Sequence, residues 1–214
     1  MKTIVLLMSA TLAAPALAGT AVLGGDATMT AATGANLAQN TDAYAQFVSS
    51  GGASAVLDWS KFNIGAGKEM NFSGADTTFF NLVDAAASKS QIDGIISGNG
   101  SVWVINPNGI AFGASSRVNV GGLFAAAAGN ISNADDLRSG TATLPTFSSF
   151  GGAVEVNGSK FTASQVALLG KSVAVDGGTF DVQELSIGTG SRLVVDEVNG
   201  GMISISVADF AEDS

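Results

Sequence analysis

Apolar and polar residues alternate with a period of two along much of the chain, most clearly from Gly151 onward. This alternation is typical of β-strands with one buried face, and little of the sequence shows the longer period of a helix. The pattern predicts short strands at residues 154–156, 166–169, 172–175, 185–187, 192–195 and 202–207.

Turn sequences separate these strands at nearly regular intervals. The dipeptides Asn157-Gly158, Asp176-Gly177 and Asn199-Gly200 place glycines 19 and then 23 residues apart, and we expect positive φ angles at these turns. A repeat of about 20 residues with strands and no helix favours a solenoid of stacked coils. An antiparallel sandwich or barrel also uses many short strands, so the pattern alone leaves both architectures open.

In a solenoid, each strand pairs in parallel with the equivalent strand of the next coil, about 4.8 Å away. The alternation then predicts that Val156, Leu169, Val175 and Ile187 point into the tube. The tryptophans at positions 59 and 103 alternate with polar neighbours, so we expect both to pack in the core rather than to stack on a ligand.

The charge balance limits the classes of partner. The chain has 9 basic and 18 acidic residues, a net charge of −9. Removing residues 1–18, which contain Lys2 and no acidic residue, changes this to −10. Nucleic acids and anionic membrane surfaces attract basic patches, so the composition argues against both as partners.

The chain contains no cysteine and no histidine. Disulfides, Ser-His-Asp triads, Cys-His dyads and ordinary zinc sites are therefore excluded. The remaining carboxylates are scattered and have few basic neighbours, which is unlike the active site of a β-helical polysaccharide lyase. We expect no enzymatic activity, no cofactor and no metal site.

The amino terminus has the three parts of a secretory signal peptide. Lys2 supplies the positive charge, residues 4–14 form an uncharged apolar run, and Ala16-Leu17-Ala18 is a cleavage sequence. The apolar run is too short to span a bilayer. We therefore predict a signal peptide at residues 1–18 and one mature domain at residues 19–214.

The centre of the chain carries the most distinctive motif, Asn106-Pro107-Asn108-Gly109-Ile110. Pro107 fixes its own φ and favours an extended conformation at Asn106. Asn108 and Gly109 tolerate left-handed backbone, and the side-chain oxygen of Asn106 can cap the turn. The motif is expected to form a rigid turn between strands at residues 101–105 and 110–112.

This motif resembles the signature of the two-partner secretion domain found at the amino terminus of filamentous haemagglutinins and related adhesins. Three further segments follow the family's order. The matching residues are Trp59, Phe62, Asn63 and Gly65 of the segment W-x-x-F-N-I-G; Ile92, Gly94, Asn99 and Gly100 of the segment ending in N-G; and Gly121, Gly122 and Leu123.

The resemblance implies an all-β fold: a right-handed parallel β-helix with an amino-terminal cap and small extra-helical β-hairpins. It also implies secretion from a Gram-negative cell, or display at its surface, after passage through the periplasm. There an outer-membrane β-barrel transporter with periplasmic domains would recognise the chain. An adhesin-like exoprotein would in addition contact a host or bacterial cell surface.

Three features depart from the family pattern. The motif Asn-Pro-Asn-Leu is absent, Ala125–Ala128 replaces a more polar stretch, and the sequence stops at Ser214, where a long passenger usually follows. The alternative is therefore a self-contained extracellular structural or biofilm module, or a truncated remnant of a larger adhesin. The exposed coil ends of such a module could stack on one another.

Overall fold

In the computed structural model, which describes residues 19–198 and 202–207, the chain begins with a cap of antiparallel strands. Strand β1 (Thr20–Val22) pairs with β2 (Ala27–Thr33), β2 pairs with β5 (Ser54–Lys61), and β3 (Ala35–Asn40) pairs with β4 (Tyr44–Ser49). A short 3-10 turn, Leu23–Gly25, joins β1 to β2. The cap strands are β1, β2 and β3, and the strands that they cover are β4 and β5.

From β4 onward the chain winds into a right-handed parallel β-helix of about six turns. Most coils contribute strands to three faces, and strands on the same face of neighbouring coils pair in parallel. The next strands are β6 (Glu69–Ser73), β7 (Thr78–Val83), β8 (Ser90–Ile92), β9 (Ile95–Gly98), β10 (Ser101–Ile105), β11 (Ile110–Phe112), β12 (Arg117–Val120) and β13 (Leu123–Ala127).

An insertion then leaves the solenoid and returns to it. It consists of β14 (Gly129–Ile131), helix α1 (Ala134–Ser139) and β15 (Phe147–Phe150), and its two strands pair antiparallel. The solenoid resumes with β16 (Ala153–Asn157), β17 (Lys160–Gly170), β18 (Ser172–Asp176) and β19 (Thr179–Thr189). A second antiparallel hairpin, β20 (Leu193–Val198) and β21 (Met202–Val207), ends the described chain.

The three faces have separate strand sets. The first face contains β4, β6, β9 and β12, and the second contains β5, β7, β10 and β13. The third face contains β8, β11, β16 and β18. The long strands β17 and β19 bend and contribute to both the first and the second face, because β17 pairs with β12 in its first half and with β13 in its second.

Two separate apolar clusters form the core. The lumen cluster fills the tube and includes Phe47, Phe72, Phe112, Phe124 and Phe161, all fully buried. The outer cluster lies on the outer surface of the second face, where the insertion and the second hairpin cover it. No helix among the described residues is long and apolar enough to span a membrane.

The fold, including the cap and the extra-helical hairpins, confirms the sequence expectation. The turn glycines Gly158 and Gly177 have φ angles of 69° and 72°, as predicted. The third predicted turn, Asn199-Gly200, and the predicted signal peptide lie outside the described residues. Residues 193–198 and 202–207 do not form a further coil, since β20 and β21 pair antiparallel outside the solenoid.

Val156 lies in the lumen as predicted. The prediction for Leu169 was wrong, and Val175 and Ile187 face inward as predicted but are not buried. Leu169 is buried in the outer cluster, on the opposite side of its strand from the lumen. Val175 and Ile187 are 43% and 50% exposed. They follow the inward register of Val156 and Leu168, but they belong to the last coil, and no described strand pairs with its outer edge.

Candidate functional site

The Asn106–Ile110 motif forms a tight turn that joins β10 to β11. The amide N–H of Gly109 donates to the carbonyl oxygen of Asn106 at 3.0 Å, which closes the turn. The side-chain oxygen of Asn106 accepts a hydrogen bond from the amide N–H of Asn108 at 2.9 Å. This is the capping interaction that the sequence predicts, and the strand limits at Ile105 and Ile110 are also as predicted.

The side chain of Asn106 connects the turn to the preceding coil. Its Nδ2 donates to the carbonyl oxygen of Ser88 at 2.9 Å and to Oγ of Ser90 at 3.0 Å. Its backbone N–H donates to the carbonyl oxygen of Ala127, in the following coil. The residue is fully buried, and its side chain has three satisfied polar contacts that fix the turn to the preceding coil. The backbone N–H links the same turn to the following coil.

Asn108 makes a second link to the preceding coil from an exposed position. Its Nδ2 donates to the carbonyl oxygens of Ala85 and Ala87 at 2.9 and 2.7 Å. Asn108 and Gly109 were both expected to tolerate left-handed backbone, and only Gly109 adopts it. Gly109 has a φ of 109°, whereas Leu23 is the only described non-glycine residue with positive φ.

Gly109 is also constrained by the following coil. A Cβ atom at this position would lie 2.9 Å from the carbonyl oxygen of Ala153. Ile110 is fully buried in the lumen, where its strand runs between β8 and β16. Pro107 lines a cavity of about 410 Å³ between the turn and α1. The five motif residues thus hold three consecutive coils in register.

Most of the other predicted glycines lie where the corner of one coil rests on the next. A Cβ at any of these positions would overlap a neighbour. A Cβ at Gly94 would overlap the carbonyl oxygens of Gly65 and Lys68, and a Cβ at Gly100 would overlap those of Gly74 and Thr77. The remaining members of the set, with their neighbours, are Gly65 against Asp26, Gly121 against Asn99 and Gly122 against Ser101.

Two predicted asparagines close the corners with side-chain hydrogen bonds. Oδ1 of Asn63 accepts from the amide N–H of Gln91 at 2.8 Å. Oδ1 of Asn99 accepts from the amide N–H of Gly74 at 2.7 Å. Each bond links neighbouring coils, so both residues have a structural role at the corners.

The predicted apolar residues pack in the two clusters. Trp59, Phe62 and Ile92 are buried in the lumen, with the rings of Trp59 and Phe62 edge to face at 5.0 Å. Leu123 lies in the outer cluster. Trp103 is also buried there, 6.5 Å from the ring of Phe147, so both tryptophans are packing residues as expected.

One important residue was missed in the sequence. Asn81 is a fully buried polar residue inside the lumen. Its Oδ1 accepts from Nε1 of Trp59 at 3.1 Å, and its Nδ2 donates to the carbonyl oxygen of Trp103 at 3.0 Å. A lone asparagine inside the run Phe79-Phe80-Asn81-Leu82-Val83 was the available signal.

Two ion pairs attach the accessory parts to the solenoid. Arg138 of α1 contacts both carboxylate oxygens of Asp58 on β5, at 2.6 and 3.2 Å. These hydrogen bonds and the nearby charges of Asp58 and Asp135 outweigh burial and raise the pKa of Arg138. At the cap, Lys68 lies 2.9 Å from Asp26.

Asp26 has competing influences on its ionisation. Burial opposes the charged form, but hydrogen bonds from Lys68 and the Gly65 amide, with the charges of Lys68 and Lys61, outweigh it and lower the pKa of Asp26. Across the described part of the chain, no group of three acidic residues is placed to hold a metal ion.

Comparison with known proteins identifies the family of the chain. A family model described as the TPS secretion domain matches residues 21–211. The chain belongs to the TPS secretion domain family. This family comprises the secretion domains of two-partner secretion substrates and is not an enzyme family.

Individual relatives match shorter segments. Two heme/hemopexin-binding proteins of Haemophilus influenzae are 39% and 34% identical over 71 and 89 residues, which is 32% and 41% of this chain. The aligned segments make up only 8% and 10% of those relatives. The chain therefore corresponds to a small part of their length.

A solved structure shows the same fold. The HMW1 secretion domain of Haemophilus influenzae superposes with a TM-score of 0.63 at 22% identity, over 85% of this chain and 50% of that one. The TPS secretion domain assignment therefore rests on the family model, and the structural comparison supports the architecture.

Proposed function

We propose that this chain is the secretion domain of an exported haemagglutinin- or adhesin-like exoprotein. An outer-membrane β-barrel transporter recognises it in the periplasm, and it folds at the cell surface. The single observation that carries the proposal is the family match over residues 21–211. The position of the Asn106–Ile110 motif, at the junction of three coils, supports it.

The hydrogen bonds of the motif indicate when recognition takes place. In the folded chain Asn106 is fully buried, and both ends of its side-chain amide are bonded within the chain. A transporter has no access to this side chain after folding. Any direct contact between the transporter and the Asn106 side chain therefore takes place before folding, while the chain is still extended.

An extended chain of this sequence offers many short amphipathic strands. A partner can bind such strands by adding them to the edge of its own sheet, and the alternating side chains then give specificity. In the folded solenoid the inner strands pair with neighbours on both sides. Folding thus withdraws the strand edges that the transporter would have bound, and releases the chain from it.

The spacing of the contacts suits folding during export. Strand partners in neighbouring coils are 19 to 26 residues apart, as for Val173 with Val154 and Ile95 with Glu69. The insertion widens this interval to 42–44 residues for the strands on either side of it, as for Val154 with Ile110. Each coil can therefore stack on the previous one as soon as it emerges. Burial of apolar side chains in each added coil favours forward movement over return.

The test is secretion of residues 1–214 from a Gram-negative host, with and without the β-barrel transporter of the source genome. We expect the protein in the medium only when the transporter is present. Retention in the periplasm in both cases would contradict the proposal and favour a self-contained module or a remnant.

A matched pair of substitutions separates folding from recognition. Asn106→Ala removes the buried links to Ser88 and Ser90, whereas Asn108→Ala removes exposed links to Ala85 and Ala87. We expect Asn106→Ala to slow refolding of purified protein and to lower secretion, with smaller effects for Asn108→Ala. Normal refolding of Asn106→Ala with a loss of secretion would instead assign the residue a direct role in transporter binding.

Contact with a host or bacterial cell surface stays a prediction of the family resemblance. Its test is binding of the secreted protein to cells after the export experiment has succeeded.

A further inference from the structure

The carboxy-terminal end of the solenoid presents an apolar surface. Five large apolar side chains of the described residues are well exposed, and three of them lie on the last coil: Val175, Leu185 and Ile187, at 43%, 40% and 50%. Phe180 and Val182 on β19 and Val173 on β18 are only partly buried. All six follow the inward register of lumen residues in the coil before.

The same end also has free strand edges. Strand β18 is the terminal strand of its sheet, and β19 pairs only with β17 among the described strands. Free edges and exposed apolar surface together favour association with another chain. The opposite end of the tube differs, because the cap buries Val22, Leu23 and Met29 completely.

We propose that this end is a self-association surface on which two copies of the chain pair tail to tail around a two-fold axis. The geometry of the last coil supports a second copy as the occupant. Its residues repeat those of the coil before at an interval of 19, as in Val173 with Val154 and Leu185 with Val166. A two-fold axis that crosses β18 at Ala174 also crosses the opposite side of the same coil. Half of the 19-residue interval separates the two points, so the second crossing lies on β19 between Gln183 and Glu184.

That axis position places apolar side chains opposite apolar side chains. On β18, Val173 faces Val175 of the second copy. On β19, Phe180 faces Ile187 and Val182 faces Leu185 of the second copy. Both strands thus satisfy a single two-fold axis, and each inward-facing side chain gains an apolar partner.

The outward-facing residues are compatible with the same register. Asp181 faces Ser186, Gln183 faces Glu184, and Ser172 faces Asp176 of the second copy. No two like charges stand directly opposite each other, which would be destabilising. Antiparallel pairing of the free edges also supplies partners for their backbone N–H and C=O groups.

The closed opposite end determines the size of the assembly. A contact that uses the same surface on both copies is isologous and closes at two. Head-to-tail stacking into fibres would need an open lumen at the cap, where the apolar residues are already buried. The contact is only one coil in area, so we expect a concentration-dependent dimer rather than a permanent one.

Sedimentation velocity over a range of concentrations tests the proposal, with the purified full chain and with a chain lacking residues 1–18. We expect a monomer–dimer equilibrium without larger species. Val175→Lys should weaken the dimer by more than about tenfold, since the lysine would lie in an apolar interface. Its matched control is Val194→Lys, at a valine that is 41% exposed on β20, which should leave the dimer unchanged.

Cross-linking tests the register independently. The chain has no cysteine. A single Ala174→Cys substitution therefore places one cysteine on each molecule, directly opposite the equivalent cysteine of the second molecule. Directly opposed residues of antiparallel strands have Cα atoms roughly 4.5–5.5 Å apart, within disulfide range. Ser172→Cys is two residues from the axis and should not cross-link.

A monomer at all concentrations would overturn the proposal, as would equal association of the Val175→Lys and Val194→Lys proteins. Efficient cross-linking at Ser172 but not at Ala174 would overturn the register and with it the two-fold arrangement. Circular dichroism melting of each variant ensures that a lost dimer is not a lost fold.

Discussion

The lumen cluster and the outer cluster are both buried, but different parts of the chain enclose them. The lumen is enclosed by the coils themselves, which wrap around Phe112, Phe124 and Leu168. The outer cluster lies on the outside of the second face, where Trp103 and Leu169 would be exposed without the insertion and the second hairpin. The alternation of a strand determines which side a residue faces, but only the rest of the fold determines whether that side is covered.

This difference separates two levels of stability. Loss of the lumen removes the reason for the coils to stack, so the whole domain should unfold. Loss of the outer cluster removes the attachment of α1, β14, β15, β20 and β21, while the coils keep their own core. The outer elements are thus candidates for partial unfolding at a lower free energy than the solenoid.

The largest expected effect tests this difference at two neighbouring residues. Leu168 and Leu169 are both completely buried, the first in the lumen and the second in the outer cluster. Leu168→Asp places a carboxylate in the lumen and should cost about 4 kcal/mol or more, enough to unfold the domain. Leu169→Asp should release the outer elements and leave a folded solenoid.

Hydrogen exchange with mass spectrometry distinguishes the two results. For Leu169→Asp we expect fast exchange in residues 129–150, 193–198 and 202–207 and continued protection in β7, β10 and β13. Equal loss of protection throughout both variants would mean that the two clusters form one cooperative unit.

A second prediction compares the two tryptophans. Nε1 of Trp59, in the lumen, donates to Oδ1 of buried Asn81. Nε1 of Trp103, in the outer cluster, is buried without a hydrogen-bond partner among the described residues. Trp59→Phe would leave the asparagine oxygen unsatisfied at a cost of about 1–3 kcal/mol beyond the lost ring volume. Trp103→Phe carries only the packing loss.

Thermal or urea unfolding of the two Phe variants provides the measurement. We expect the Trp59→Phe protein to be less stable than the Trp103→Phe protein. Adding Asn81→Leu to Trp59→Phe should recover part of this difference in stability. A larger loss for Trp103→Phe would indicate that its indole N–H is hydrogen-bonded in solution.

Much of the solenoid could be predicted from sequence because its signals are local. The alternation from Gly151 onward gave the strands, and the Asn106–Ile110 turn followed from the conformational limits of proline, asparagine and glycine. The choice between a solenoid and a sandwich came from the family resemblance and not from the pattern. Parallel and antiparallel pairing use the same period of two, so alternation alone does not distinguish them.

The errors arose where burial depends on distant segments. Leu169 was assigned to the lumen because it is apolar, but the outer hairpins bury it from the other side. Val175 and Ile187 face inward in register, and their exposure follows from their place in the last coil. The pairing of Asp58 with Arg138, 80 residues later, likewise has no local signal.

A third prediction weakens the attachment of the outer elements without changing their core. Asp58→Asn keeps the shape of the side chain but removes the charge that pairs with Arg138. The pair is partly exposed, so we expect a loss of about 1 kcal/mol or less. Faster exchange confined to α1 and its flanking strands would locate the effect, and Asp135→Asn, on a nearly fully exposed carboxylate, is the matched control. Equal effects of the two substitutions would contradict a specific role for Asp58.

The smallest expected effect lies at the closed end of the lumen. The pKa of Asp26 is lowered in the folded chain, so its ionised form stabilises the cap at neutral pH. This contribution is fully present above the ordinary pKa of an aspartate, and it is lost as the pH falls through the lowered value. Asp26→Asn should therefore reduce stability at pH 7 and reduce the dependence of stability on pH below 4. Because the group is partly exposed, the change should also shrink at high salt.

Urea unfolding at pH 7 and pH 3, for the native chain and the variant, gives the result, with Asp181→Asn at the open end as the control. If the two variants show the same pH dependence, the carboxylate of Asp26 does not hold the cap on the solenoid. The apolar residues of the cap alone then close the tube.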